Sequence, residues 1–214
     1  MTVSSQRRRA SPKGDRQRKR IMEAGQAVIG ERGFANATME SIAQRVGISR
    51  SGVLHYFPSK DVLVEAILSE RRLPDDDRFQ HSLERAASRT VLDAAAILER
   101  NATDRQWVAF YSGTLSEALR DGHPSREFFT LRYALFRSML AQSIRNGIDD
   151  GSLRGDASAP DVAALVIAVL DGLQQQWLYD PDLDMARIYE SFLRMLRGGT
   201  AAESPVRSAD VTSS

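Results

Sequence analysis

The chain has 214 residues, enough for one or two domains around a sizeable core. It has no cysteine, which excludes a disulfide framework, a thiolate zinc site and a cysteine nucleophile. The net charge of +1 hides an asymmetry: residues 1–60 carry 12 Lys and Arg against 4 Asp and Glu, and the remainder carries 17 against 24. A basic N-terminal part on an acidic body is the electrostatic footprint of a phosphate-binding head, although basic tails also occur for other reasons.

Residues 1–14 are polar and basic and contain Pro12 and Gly14, the signature of a disordered arm. Such an arm serves either to follow DNA or only to solubilise. No apolar run follows its charges, so it is not a secretory leader. A first helix is predicted over about 15–32, with Ile21, Ala24, Val28 and Ile29 as its apolar face and Gly33 just past its end. Arg16, Arg18, Lys19 and Arg20 crowd its first turns, where the helix dipole disfavours cations, which suits contact with phosphates.

Two short helices with a tight turn follow. Thr38 caps the first, and Ile42, Ala43 and Val46 make its apolar face. Gly47 ends it in the left-handed conformation. Ser49 caps the next, which buries Val53, Leu54 and Phe57 and leaves Arg50, Ser51, His55 and Tyr56 pointing elsewhere. Pro58 stops it, and Ser59 caps a fourth helix that runs to about Arg72.

The segment 38–57 is a helix-turn-helix. Thr38, Ile42-Ala43, Gly47-Ile48-Ser49, Gly52-Val53-Leu54, Tyr56-Phe57 and Pro58-Ser59-Lys60 resemble the DNA-binding domain of TetR-type transcriptional regulators. Residues at the start of a recognition helix meet base edges in the major groove, here Ser49, Arg50 and Ser51, with Gly52 allowing close backbone approach. Arg50 suits either a guanine edge or a phosphate. The resemblance implies that Thr38, Tyr56 and Lys60 contact the DNA backbone. Lys60 also stands at a helix start against the dipole, and phosphate contact would account for it. His55 stands where many members have Tyr.

The body reads as five further helices. Leu73-Pro74-Asp75-Asp76-Asp77 breaks the pattern, and its carboxylates lack the spacing of a metal site. A helix over about 78–100 is followed by breaks at Asn101–Asp104 and Asp121–Pro124 that bound a helix over about 104–120. The next starts at Pro124, a favourable first position, and runs to between Asn146 and Asp150. The last two span about 160–178 and 184–197. The longest apolar run, Val162 to Leu170, lies between Asp161 and Asp171 and is too short for the ~20 residues of a membrane span.

The expected fold is all-α with about nine helices, divided into a three-helix helix-turn-helix DNA-binding domain and a C-terminal helical ligand-binding and dimerisation domain. The expected boundaries are 1–14 for the arm, 15–73 for the head, 78–198 for the body and 199–214 for a disordered tail. Trp107, Phe110, Tyr111, Phe128, Phe129, Tyr133 and Phe136 either line a small-molecule pocket or are plain core. The resemblance favours a pocket, and Trp107, Arg132 and Gly172-Leu173 resemble the subgroup with betaine-repressor-like C-terminal domains. Leu165, Val169, Leu173, Trp177, Ile188, Tyr189 and Phe192 are the expected dimer seam, forming a four-helix bundle with the partner.

The expected partners are thus a near-palindromic duplex, a second copy of the chain and a small effector that displaces the fourth helix, felt at Leu63 and Ile67. No cofactor or metal is expected: His55 has no second ligand at helical spacing, and the histidines are three in all. With no Gly-rich phosphate loop either, an enzyme is not expected. The expected location is cytoplasmic. The alternative keeps the head but makes the body only a dimeriser or a protein-docking module.

Overall fold

The computed structural model describes residues 12–70 and 89–197; nine helices occur among them, and no strand. They are α1 (Pro12–Asn36), α2 (Met39–Val46), α3 (Arg50–Tyr56), α4 (Lys60–Glu70), α5 (Arg89–Ala102), α6 (Arg105–Glu117), α7 (Arg126–Asp149), α8 (Ala159–Tyr179) and α9 (Met185–Leu196). Residues 1–11 of the expected arm, the break at Leu73–Asp77, the start of the fifth expected helix, residue 198 and the expected tail over 199–214 lie outside the described residues.

Local chemistry sets the boundaries of the head. Gly33, at φ 77 and ψ 160, is the non-helical residue that kinks α1 near its end. The Ser41 N–H donates to the Thr38 hydroxyl at 3.1 Å and the Thr38 N–H to the Ser41 hydroxyl at 3.1 Å, a reciprocal cap on α2. Gly47 closes α2 at φ 77, where a Cβ would be strained. Ile21, Val28, Ile42, Val53, Phe57, Leu63 and Val64 are at most 2% exposed and form the centre of the head.

Three expectations need correction here. The helix begins at Pro12, so residues 12–14 belong to α1 and not to an arm. This places Asp15 in the first turn and moves the basic residues beyond it, which weakens the dipole argument. Two of those residues also have work inside the head. The Arg20 Nη2 donates to the Val46 carbonyl at 3.0 Å, satisfying the end of α2, and the Arg18 guanidinium lies 5.1 Å from the centre of the Phe57 ring. Pro124 lies in a turn before α7, and Ser125 occupies the capping position.

In the body, α8 packs on α7 and α6, and α9 packs on α5 and α8. Val162, Ala163, Val166, Ile167, Leu170, Leu173 and Trp177 face inward from α8. On the remaining side Leu165 is 56% exposed, and Ala164 and Ala168 are exposed beside it.

Head and body join through α1 and α6. A Cβ on Gly30 would come within 3.2 Å of the Phe110 backbone nitrogen and 3.4 Å of the Gln106 carbonyl oxygen, so the two helices meet almost backbone to backbone. At the end of α6, Glu117 accepts from the Phe34 N–H at 2.7 Å and the Ala35 N–H at 3.1 Å, gripping the stretch just after the Gly33 kink. Leu63 and Ile67, expected to sense the body, instead pack beneath α1 at Gly25. Among the described residues a cleft of about 500 Å³ lies between Ile67 and Glu70 of α4 and the start of α6. The contact is therefore made by α1 because glycine at position 30 lets it approach where α4 stands back.

Candidate DNA interface and effector cavity

The recognition helix α3 is short and strongly capped. Ser49 accepts from the Gly52 N–H at 3.1 Å and lies 2.9 Å from the Ser51 hydroxyl. Ser49, Arg50, Ser51 and His55 are exposed together on one side, while Val53 and Phe57 anchor the other. Tyr56 is half-buried, with its ring edge-on to His55 at 5.3 Å. Thr38 is exposed at the start of α2. The Arg50 Nε pairs with Glu40 across the turn, a partner that helical spacing within one element does not reveal.

Lys60 has partners within the chain. Its Nζ donates to the carbonyls of Phe34 and, at 2.8 Å, Ala37, and lies 4.1 Å from the centre of the Phe34 ring. Burial holds its ammonium below the ordinary lysine value, against the opposing pull of Asp61 and Glu117. The two carbonyls it serves account for its place at a helix start. Next to it, the His123 ring packs edge-on against Phe34 at 4.6 Å, and burial lowers the His123 pKa from its usual 6.5.

A second feature lies in the body. A cavity of about 40 Å³ lies between α5, α6, α7 and α8. Trp107, Tyr111, Tyr133 and Phe136, four of the aromatic residues singled out from the sequence, line it. Phe110 and Phe129 do not. Phe110 is fully buried at the α1 contact, and Phe129 supports Tyr111 from behind, ring centres 5.4 Å apart.

Polar groups complete the wall; of these the sequence singled out only Arg132, through its resemblance to the betaine-repressor-like subgroup. The Tyr133 hydroxyl donates to Asp171 at 2.5 Å, and burial raises the pKa of both groups. The Arg132 Nε donates to the Tyr111 oxygen at 3.0 Å. The Asn101 amide donates to Gln174 at 2.6 Å, and Gln174 donates in turn to the Leu170 carbonyl at 3.0 Å. For the other groups the available signal was Asp171: it shares a helical face with Ile167, Leu170 and Gln174 and is not simply the end of an apolar run.

The expected dimer seam divides. Leu173, Trp177 and Tyr189 are 5%, 7% and 0% exposed, buried by helices of the same chain. Leu165 is exposed, and Val169, Ile188 and Phe192 are half-buried. With Met195 at 67% exposure and Tyr179 at 93%, they leave an apolar strip along α8 and α9.

No helix among the described residues is long and apolar enough to cross a membrane, and no metal-binding cluster is found among them. A three-helix head with a capped recognition helix, locked onto a helical body, defines a helix-turn-helix transcriptional regulator that binds DNA. The chain belongs to the TetR family: residues 21–67 match the bacterial regulatory proteins of that family, and residues 83–199 match the C-terminal domain of BetI-type transcriptional repressors.

The HTH-type transcriptional repressor BepR of Brucella suis is 26% identical over 210 residues, spanning 89% of this chain and 96% of its own. The HTH-type transcriptional regulator YfiR of Bacillus subtilis is 26% identical over 183 residues, spanning 83% and 88%. The fold is shared with a transcriptional regulator from Saccharomonospora viridis solved in complex with choline, at a TM-score of 0.68 and 23% identity over 84% of this chain and 96% of that one.

Proposed function

We propose that this regulator is a homodimeric repressor whose hold on a near-palindromic operator is released by a small molecule in the body cavity. The observation that carries this reading is the position of α6. One side of it supplies Trp107 and Tyr111 to the cavity, and the other bears on α1 through Gly30 and on residues 34–35 through Glu117. At about 40 Å³ the cavity is far smaller than an ordinary ligand pocket, so an effector that fills it pushes its walls apart. Moving α6 moves α1 and the loop that precedes α2, and so tilts the recognition helix. Affinity for DNA then changes by the effector's differential affinity for the two arrangements.

Ser49, Arg50, Ser51, Gly52, His55, Tyr56 and Thr38 form the DNA-facing set, with Arg50 the chief reader of a base. One such helix reads only a few base pairs, and pairing through the α8–α9 strip sets two of them ~34 Å apart or a multiple of that. The complex of the Saccharomonospora viridis regulator with choline supports an effector role for the corresponding body. The location is cytoplasmic, where the operator is.

Selection from a random duplex library tests the head and the dimer together. A palindromic consensus is expected. A steep salt dependence with no preferred sequence would reduce the protein to a non-specific DNA binder.

A further inference from the structure

The charge balance of the body cavity narrows what can fill it. A lone carboxylate in an aromatic box would select a cation. Asp171 and the rings of Trp107, Tyr111 and Tyr133 resemble such a box, but the protein supplies the cation itself. The guanidinium carbon of Arg132 stands 5.3 Å from the centre of the Tyr111 ring, where a bound ammonium would sit. Its charge also acts on Asp171, opposing the rise in pKa that burial imposes there. Among the described residues Arg132 forms no ion pair, and its one hydrogen bond is made by Nε, which leaves its two terminal amino groups for a ligand. Arg100 adds a second guanidinium at the rim of the cavity.

A second observation is independent of charge. Asn101 is 3% exposed and lines the same cavity, and its Oδ1 is buried without a donor. Its orientation is set by its neighbours. The Gln174 amide nitrogen is committed to the Leu170 carbonyl, so Gln174 turns its oxygen to Asn101, which must answer with its own nitrogen. The Asn101 oxygen is therefore held as an acceptor that the protein leaves unmet.

We propose that the effector is a small aromatic acid bearing a hydroxyl group, its carboxylate on Arg132 and its hydroxyl donating to Asn101. This rests on the reading of the cavity as the effector site. The flat ring suits walls made of Trp107, Tyr111, Tyr133 and Phe136. The carboxylate forms the bidentate pair for which a guanidinium is shaped. A trimethylammonium compound meets Arg132 as a like charge, and its cationic head has no N–H for Asn101.

Calorimetric titration of the full-length protein with the hydroxybenzoate isomers, benzoate and choline tests this. At least one hydroxybenzoate is expected to bind tenfold or more tightly than benzoate or choline. Arg132→Gln is expected to weaken that acid tenfold or more and to strengthen choline, because Asp171 is then uncovered. Asn101→Leu is expected to erase the preference for hydroxybenzoate over benzoate while benzoate still binds. Matched helical circular dichroism establishes that each variant folds, and Arg132→Lys, which keeps the charge, must keep acid ahead of choline. Choline binding more tightly than every acid, no acid binding at millimolar concentration, or an unchanged order in Arg132→Gln would overturn the proposal. Choline that releases the selected duplex would remove the ligand class and leave ligand gating intact. A hydroxybenzoate that binds without altering duplex affinity would do the reverse.

Discussion

Arg50 is tied to Glu40 at the head of the recognition helix, and a base must win it from that carboxylate. Both side chains are more than half exposed, so the pair itself is weak and the exchange cheap. Replacing Arg50 with Ala is expected to weaken operator binding by ~1–3 kcal/mol and to change binding to a scrambled duplex far less. Equal losses on the two duplexes would make Arg50 a phosphate contact. His123 offers a pH test at the same scale. Its folded pKa lies below 6.5, so under acid the unfolded chain takes up a proton that the folded chain refuses. Stability present above pH 6.5 is therefore expected to fall as pH drops from 6.5 towards the folded value. Urea unfolding at several pH values should show this slope, and His123→Gln should flatten it.

At the scale of elements, the pairing of α1 with α6 decides how the two parts communicate. Glu117 holds two backbone N–H groups that would otherwise be left at the Gly33 kink, while Lys60 holds two carbonyls of the same stretch. The stretch between α1 and α2 is thus gripped from the body on one side and from α4 on the other. Glu117→Ala is expected to cost about 1–2 kcal/mol of stability, measured by urea unfolding, because both lost hydrogen bonds involve a charged acceptor. It is also expected to blunt the effect of effector on DNA binding while leaving effector affinity nearly unchanged. Full retention of the response in fluorescence anisotropy would place the coupling elsewhere.

For the whole molecule, the exposed strip on α8 and α9 is the surface that a dimer would cover. Ala164, Ala168 and Gly172 are small, so a facing helix can approach closely, with Leu165 and Met195 projecting beside them. Leu165→Glu would bury an unpaired charge in that contact. It is expected to sediment as a monomer at micromolar concentration and to lose most affinity for a two-half-site duplex, with helix content unchanged. A variant that remains dimeric would move the interface off this strip.

The helix-turn-helix was legible residue by residue because its signals are local. Thr38, Gly47 and Ser49 are caps, and caps act within three or four residues of themselves. The order of the body helices was legible for the same reason, from their apolar spacing and the polar breaks between them. Periodicity, however, says that a side chain is apolar and not which neighbour covers it. It could not separate Leu173, Trp177 and Tyr189, buried within the chain, from Leu165, left open on the same pair of helices. Nor could it tell Phe110 at the head–body joint from Tyr111 at the cavity, one residue apart on α6.

The sequence by itself determined the class of protein, an all-helical DNA reader with a basic head on an acidic body. The tertiary structure decided that Lys60 is spent on the loop between α1 and α2, that α1 rather than α4 bears on the body, and that Arg132, Asn101 and Asp171 share one cavity. The physical reason is separation along the chain. Asn101 and Gln174 are 73 residues apart, and Glu117 and Phe34 are 83 apart. Such partners meet only when helices pack, and no spacing within either segment records that they do.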